Sequence, residues 1–331
     1  MENLLVNKVA AVKEVRQAAE YQKKKQACIL TGLAGSSKPV FFAAADKLLG
    51  GKGSMAFVTA SREEIRTYRR ELNYLYPDLP MQELYPVSLP RVQADTQSLE
   101  LQAGRAAALR FLSGEERGIV FITAEALQQK QLRPSGMSGK ALQLAVGEEH
   151  EQRNIAAALL DLGYERTEQV DALGQFCLRG DILDVYPINS SAAVRIEWFD
   201  NELDAMRSFD VDTQRSLQTL TSIKIAPLKV DESFSYDADI FEYCAADTMV
   251  VVDEPVHVFS MLEKLDKENK EHASELFGKQ ELIEQLAANG AVLVSALGHS
   301  YLQQLPSLNI PVRAVAPYNK NTNLLVEDLQ N

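Results

Sequence analysis

Five short runs of nearly unbroken apolar residues constrain this chain most: Ala27-Cys-Ile-Leu30, Met55-Ala-Phe-Val-Thr-Ala60, Gly118-Ile-Val-Phe-Ile-Thr123, Thr248-Met-Val-Val-Val-Asp-Glu254 and Ala291-Val-Leu-Val-Ser295. A strand without polar alternation must be covered on both faces, which a parallel sheet flanked by helices provides. Helical segments separate the runs: Val12 to Lys25, Val40 to Leu49, a helix opened by the capping box of Ser61 and Glu64, a long helix from Val92 to Leu112, and a charged region from Val258 to Asn289. The alternation predicts an α/β domain with a parallel sheet.

The middle of the chain has a different character. After a helix near Gln152 to Leu162, short strands alternate with turns, and Leu173 to Tyr186 and Ala193 to Phe199 read as antiparallel. Asn189-Ser-Ser191 and Asp200-Asn201 supply turn signals. The organisation predicted is therefore residues 1–126 as the first part of the α/β domain, 127–213 as an inserted small α+β domain, and 214–331 as the return to the first fold.

The chain of 331 residues carries 34 basic and 46 acidic residues, a net charge of −12. That balance repels nucleic-acid phosphate on average, although a local basic patch can still bind it. The run Lys23-Lys24-Lys25 reads as a solvated helix end. Three scattered cysteines, Cys28, Cys177 and Cys244, have no metal spacing and fit reduced thiols of a cytoplasmic protein. The N-terminus lacks the pattern of a signal peptide, and no apolar run approaches the ~20 residues of a membrane span.

Against this background, Gly32-Leu-Ala-Gly-Ser-Ser-Lys-Pro39 looks like an altered phosphate-binding loop. The pattern G-x-x-x-x-G-K-[ST] has Gly32 and Lys38 in place. Gly35 lies within the loop, Ser37 replaces the second glycine, and Pro39 replaces the hydroxyl residue that holds Mg²⁺. Proline also removes a backbone N–H. Ser37 is expected to need the backbone conformation that glycine supplied, at some cost. Val250-Val-Val-Asp-Glu254 resembles a Walker B strand, with Asp253 and Glu254 where metal-handling carboxylates stand in an intact motor. Many buried strands end in acidic residues, so it gains weight only beside the altered loop. Together the two features predict a retained P-loop scaffold with a disabled site, no catalytic residues, no metal and no nucleotide cofactor.

A more specific signal lies in the middle segment: Gly174-Gln-Phe-Cys-Leu-Arg-Gly-Asp-Ile-Leu-Asp-Val-Tyr-Pro187, then Val194-Arg-Ile-Glu-Trp-Phe199, then Ser208-Phe-Asp-Val-Asp-Thr-Gln-Arg215. These runs resemble the module shared by the nucleotide-excision-repair helicase UvrB and the transcription-repair coupling factor (Mfd) family. The resemblance extends over nearly the whole chain, in the order domain 1a, domain 2, domain 1b, with Val312-Arg-Ala-Val-Ala-Pro-Tyr-Asn319 and Leu324-Leu-Val-Glu-Asp-Leu329 as the exit from domain 1b. UvrB keeps an intact P-loop and a tyrosine-rich hairpin, whereas Glu83-Leu-Tyr-Pro-Val-Ser-Leu-Pro90 has one tyrosine. Both departures favour the coupling-factor family.

The resemblance implies a degenerate RecA-like domain with domain 2 inserted, and a non-catalytic N-terminal fragment of a longer DNA translocase. It implies UvrA as the partner of domain 2. RNA polymerase, DNA, ATP and Mg²⁺ would be engaged through domains beyond this chain, and a C-terminal domain would mask the UvrA surface. The matching contact positions are Arg179, Arg195 and Phe199. Alternation supports Arg195 and Phe199: Val194, Ile196 and Trp198 fall on one face, and Arg195, Glu197 and Phe199 on the other. From the residues alone, Phe199 can also turn inward at the strand end, and Arg179 can form an ion pair with Asp181 or Asp184. Phe176, Tyr186 and Trp198 are expected in the core. The alternative reading is an ATP-dependent UvrB-like enzyme.

Overall fold

A computed structural model describes residues 4–89, 99–134, 141–228, 236–296 and 304–312. The first part runs α1 (Leu4–Ala10), α2 (Lys13–Lys23), β1 (Cys28–Thr31), α3 (Ser37–Leu48), β2 (Met55–Thr59), α4 (Arg62–Leu75), β3 (Met81–Leu84), α5 (Leu99–Ser113), β4 (Ile119–Thr123) and α6 (Ala124–Gln128). The capping box forms as predicted: the Ser61 backbone N–H donates to Glu64 Oε2 at 3.0 Å and opens α4. The long helix is seen from Leu99, and its predicted start at 92–98 lies outside the described residues.

The middle part contains β5 (Gln131–Leu132), β6 (Leu142–Ala145), α7 (Gln152–Asp161), β7 (Glu165–Arg166), β8 (Gln175–Arg179), β9 (Ile182–Val185), β10 (Ala193–Phe199), β11 (Glu202–Phe209), β12 (Ser216–Leu220) and β13 (Ser222–Ile225). The last part adds β14 (Tyr236–Ala238), β15 (Met249–Asp253), α8 (Pro255–Glu268), α9 (Lys279–Ala288), β16 (Val292–Ser295) and β17 (Ser307–Asn309).

Seven strands form one parallel sheet in the order β17-β1-β16-β15-β2-β4-β3. Segments far apart in sequence interleave in it, since β16 pairs with β1 on one side and β15 on the other. The sheet is covered on both faces, as the apolar runs require. Ala56 and Val58 of β2 enter one core with Phe111, Leu127 and Phe259. Met55 and Phe57 enter the other with Phe41, Phe42 and Tyr68. Edge-to-face packing of Phe42 on Phe57, with centroids 5.0 Å apart, fastens α3 to the sheet.

The second sheet has the order β12-β11-β10-β9-β8-β7 and is antiparallel except for β7 with β8. Its inner face buries Phe176, Leu183, Val185, Val194, Ile196 and Trp198 against Ile155 and Leu159 of α7. Phe176 and Trp198 are core residues as predicted, whereas Tyr186 is half-buried at a smaller cluster. The chain leaves and re-enters the α/β domain through two strand pairs, β5 with β14 and β6 with β13. The small sheet also extends past residue 213, where sequence reasoning ended the inserted domain. β12 pairs with β11, and β13 returns to β6. The polar composition of Ser216–Leu220 hid this edge strand: four of its five residues are exposed, so it lacks an apolar face to mark it.

Candidate functional site

Two places in this framework gather chemistry-bearing side chains. The first lies at the carboxyl ends of β1 and β15, where open α/β sheets place their ligands. The turn after β1 needs both of its glycines. Gly32 has φ +87°, and a Cβ there would stand 2.7 Å from the Ile310 carbonyl oxygen; Gly35 has φ +52°. Ser37 departs from expectation. It opens α3 with an ordinary backbone and needs no conformation reserved for glycine.

The turn uses its polar groups internally. The Ser37 N–H donates to the Ala34 carbonyl at 3.2 Å and the Lys38 N–H to the Gly35 carbonyl at 3.1 Å. The Ala34 N–H donates to Ser37 Oγ at 2.9 Å. Anion binding at a helix start depends on N–H groups left open toward the ligand. Three of them are committed here, and Pro39 has none.

Lys38 is committed as well. Its buried ammonium donates to Asp253 Oδ1 at 2.6 Å and to Glu254 Oε1 at 2.8 Å. Burial works against the charged lysine, but the two carboxylates outweigh it and hold its pKa above the ordinary value. Burial likewise opposes the Glu254 charge, and Lys38, the Ala296 N–H and the Ser295 hydroxyl overcome it, so that its pKa is lowered. Glu254 caps α8 from a left-handed backbone, φ +41°, an unfavourable state for a residue with a Cβ. Its three hydrogen-bond donors hold it there. The Tyr68 hydroxyl is buried beside the same carboxylates, and burial, then Asp253, push its pKa up. This donor set does not fit Mg²⁺–nucleotide. A proline stands where the metal-facing hydroxyl belongs, and the phosphate-facing lysine is already paired with the carboxylates that would handle the metal.

The second place is the outer face of the small sheet. In β10, Val194, Ile196 and Trp198 are buried, while Arg195, Glu197 and Phe199 face outward, as alternation predicts. Phe199 is 72% exposed, so it does not turn inward at the strand end. Arg179, at the end of β8, has 55% of its side chain exposed and contacts Asp184 Oδ2 at 3.2 Å. The ion pair open to it from sequence is formed, with Asp184 rather than Asp181.

Arg195 differs from the other two. Only 18% of its side chain is exposed, and its guanidinium grips the buried Asp184 in two places, Nε to Oδ1 at 2.6 Å and NH2 to Oδ2 at 2.8 Å. Cross-strand register sets this pairing, because Arg195 stands directly opposite Asp184 on β9. The guanidinium lies 4.7 Å from the centre of the Phe209 ring and donates to Gln214 Oε1 at 3.1 Å. The two sequence motifs thus converge on one side chain. Asp184 comes from the Arg-Gly-Asp-Ile-Leu-Asp run. In the Phe-Asp-Val-Asp-Thr-Gln run, Phe209 stacks on Arg195, Asp210 ties down Thr213 at 2.7 Å, and Gln214 turns left-handed, φ +58°, to reach it. Arg207 and Glu197 form a further ion pair on this face.

Asp184, Phe209 and Gln214 had no functional reading in the sequence, because their meeting depends on strand register and on the backbone of one turn. The face offers a partner an exposed aromatic ring at the end of β10, an exposed arginine, and the locked arginine–carboxylate pair beside that arginine.

Residues 142–230 match the family model of the UvrB interaction domain. That span contains β6 to β13 and the whole outer face described above. The chain is similar to transcription-repair-coupling factors. It is 36% identical to that of Bacillus subtilis (strain 168) over 203 residues, 61% of this chain and 17% of the relative. It is 31% identical to that of Staphylococcus haemolyticus over 202 residues, 60% of this chain and 17% of the relative. With that of Escherichia coli (strain K12) the identity is 28% over 165 residues, 50% and 14% respectively. The chain spans less than a fifth of the length of these relatives.

Proposed function

From its UvrB interaction domain at residues 142–230 and its likeness to transcription-repair-coupling factors, we propose that this chain is a non-catalytic, UvrB-like module that binds UvrA and so recruits nucleotide excision repair to stalled RNA polymerase. The observation that carries the reading is the outer face of that domain, where Arg179 is exposed beside the locked Arg195–Asp184 pair and Phe199 is exposed at the end of the same strand as Arg195. An arginine fork suits a carboxylate on the partner, and an exposed ring gains burial only when a partner covers it. Contacts to RNA polymerase and DNA, ATP use by a translocase, and masking of the UvrA surface by a C-terminal domain belong to the rest of a longer protein in this reading. No helix among the described residues is long and apolar enough to cross a membrane; a cytoplasmic setting is part of the same proposal.

Calorimetric titration with purified UvrA tests it. Phe199→Ala and Arg179→Ala should each weaken binding by roughly tenfold or more, since arginine and aromatic anchors commonly lose about 2 kcal/mol on truncation. Neither should move the thermal midpoint appreciably, because both side chains are largely exposed. Wild-type affinity in both variants would place the UvrA surface elsewhere.

The non-catalytic part has its own test. A fluorescent ATP analogue with Mg²⁺ should show no saturable binding, because Lys38 is paired and the N–H groups of Ala34, Ser37 and Lys38 are engaged. ATP turnover that disappears in Lys38→Ala would overturn it and favour the UvrB-like enzyme.

A further inference from the structure

Helix α4 carries Arg62, Arg66, Arg69 and Arg70 in a chain of net charge −12. Two of these are occupied. Arg62 pairs with Glu83 and lies over the Tyr85 ring. Arg69 donates to the Met81 carbonyl at 3.3 Å and lies 5.3 Å from the centre of the Phe121 ring. Arg66 and Arg70 are exposed and have no ion pair or hydrogen bond among the described residues. With the fixed Arg69 they line one open groove of about 650 Å³, whose other wall includes Leu79, Met81 and Asp78. Tyr74, one turn beyond Arg70 on the same helix, is 84% exposed.

We propose that this groove is a second docking site, for an acidic segment of a protein partner that places carboxylates on Arg66 and Arg70 and an apolar side chain on Leu79 and Met81. Two features favour a peptide over nucleic acid. The wall is partly apolar, with Leu79 and Met81, and so suits a side chain rather than a continuous run of phosphates. Arginine and tyrosine are enriched in protein interfaces, and Tyr74 is placed to extend the contact along the helix. Arg69, already stacked and hydrogen-bonded, would give a carboxylate a preorganised partner.

The test uses the full chain and fluorescence polarisation with three labelled probes: a short peptide alternating glutamate and leucine, the same peptide with glutamine for glutamate, and a single-stranded DNA of equal charge. The acidic peptide should bind, weaken as salt is raised, and lose affinity about tenfold or more in Arg66→Glu/Arg70→Glu. Arg66→Gln/Arg70→Gln should lose it too while keeping the wild-type thermal midpoint, which excludes misfolding as the cause. Failure of the acidic peptide to bind, equal binding of the glutamine peptide, full affinity in either double variant, or tighter binding of the DNA would each overturn the proposal. The site lies outside residues 142–230, so Phe199→Ala should leave it intact and separates it from the proposed UvrA face.

Discussion

Asp184→Ala should destabilise the small domain by roughly 3 kcal/mol or more and strongly weaken the proposed binding of UvrA. The carboxylate is 2% exposed and accepts from both Arg195 nitrogens and from Arg179. Removing it leaves two guanidinium groups side by side, one of them mostly withdrawn from water. A buried charge left without its partner costs far more than the intact pair contributes, which is why one-sided truncation is so damaging. The affinity loss has a separate origin. Without Asp184, Arg179 loses the contact that fixes its direction, and its ordering would oppose binding of the proposed partner. Urea unfolding and UvrA titration on the same samples separate the two effects. The paired change Asp184→Leu with Arg195→Met should regain most of the folding stability, because similar volume without charge is tolerated in such a position. It should not regain UvrA affinity. Full recovery of both would mean that the pair only fills space in the outer face.

By the same logic Arg195→Ala should be the arginine variant that loses stability, and Arg179→Ala the one that does not. The resemblance gives both as contact positions, and the strand alternation that supports Arg195 reports the face of a residue and says nothing of how deep it lies. Arg195 does point outward, but Phe209, Gln214 and Asp184 rise around it.

The parallel sheet was legible because its strands are unbroken apolar runs, and the inward set of β10 because alternation is strict there. What stayed hidden has a common cause. The edge strand β12 has no apolar face, Asp184 meets Arg195 only through cross-strand register, and Gln214 reaches it only through a left-handed turn residue. None of these leaves a period in the sequence. Lys38 was legible as the lysine of an altered P-loop. Its closure by Asp253 and Glu254 depends on strand order, which places β16 alone between β1 and β15.

That closure gives the other large expected effect. Lys38→Ala should destabilise the α/β domain by roughly 3–5 kcal/mol at neutral pH, since it leaves two largely buried carboxylates facing each other without a cation. Lys38→Met, which keeps most of the side-chain volume, should be nearly as harmful, and this distinguishes lost charge from a cavity. Adding Asp253→Asn and Glu254→Gln to Lys38→Met should recover much of the loss. The pH dependence follows from the direction of each shift. The Glu254 pKa is lowered in the folded chain, so its contribution is complete above the ordinary glutamate value of 4.5 and fades as pH falls through the folded value. The Lys38 pKa is raised, so its contribution is complete below the ordinary lysine value of 10.5 and fades as pH rises through the folded value. The gap between wild type and Lys38→Ala should therefore be widest between those limits. It should narrow in acid, where the variant's crowded carboxylates accept protons readily and relieve their repulsion. Urea midpoints measured from pH 4 to pH 9 check this. A gap independent of pH would mean that Lys38 acts through packing alone. An active nucleotide site, by contrast, would tolerate Lys38→Ala in folding and lose only its ligand.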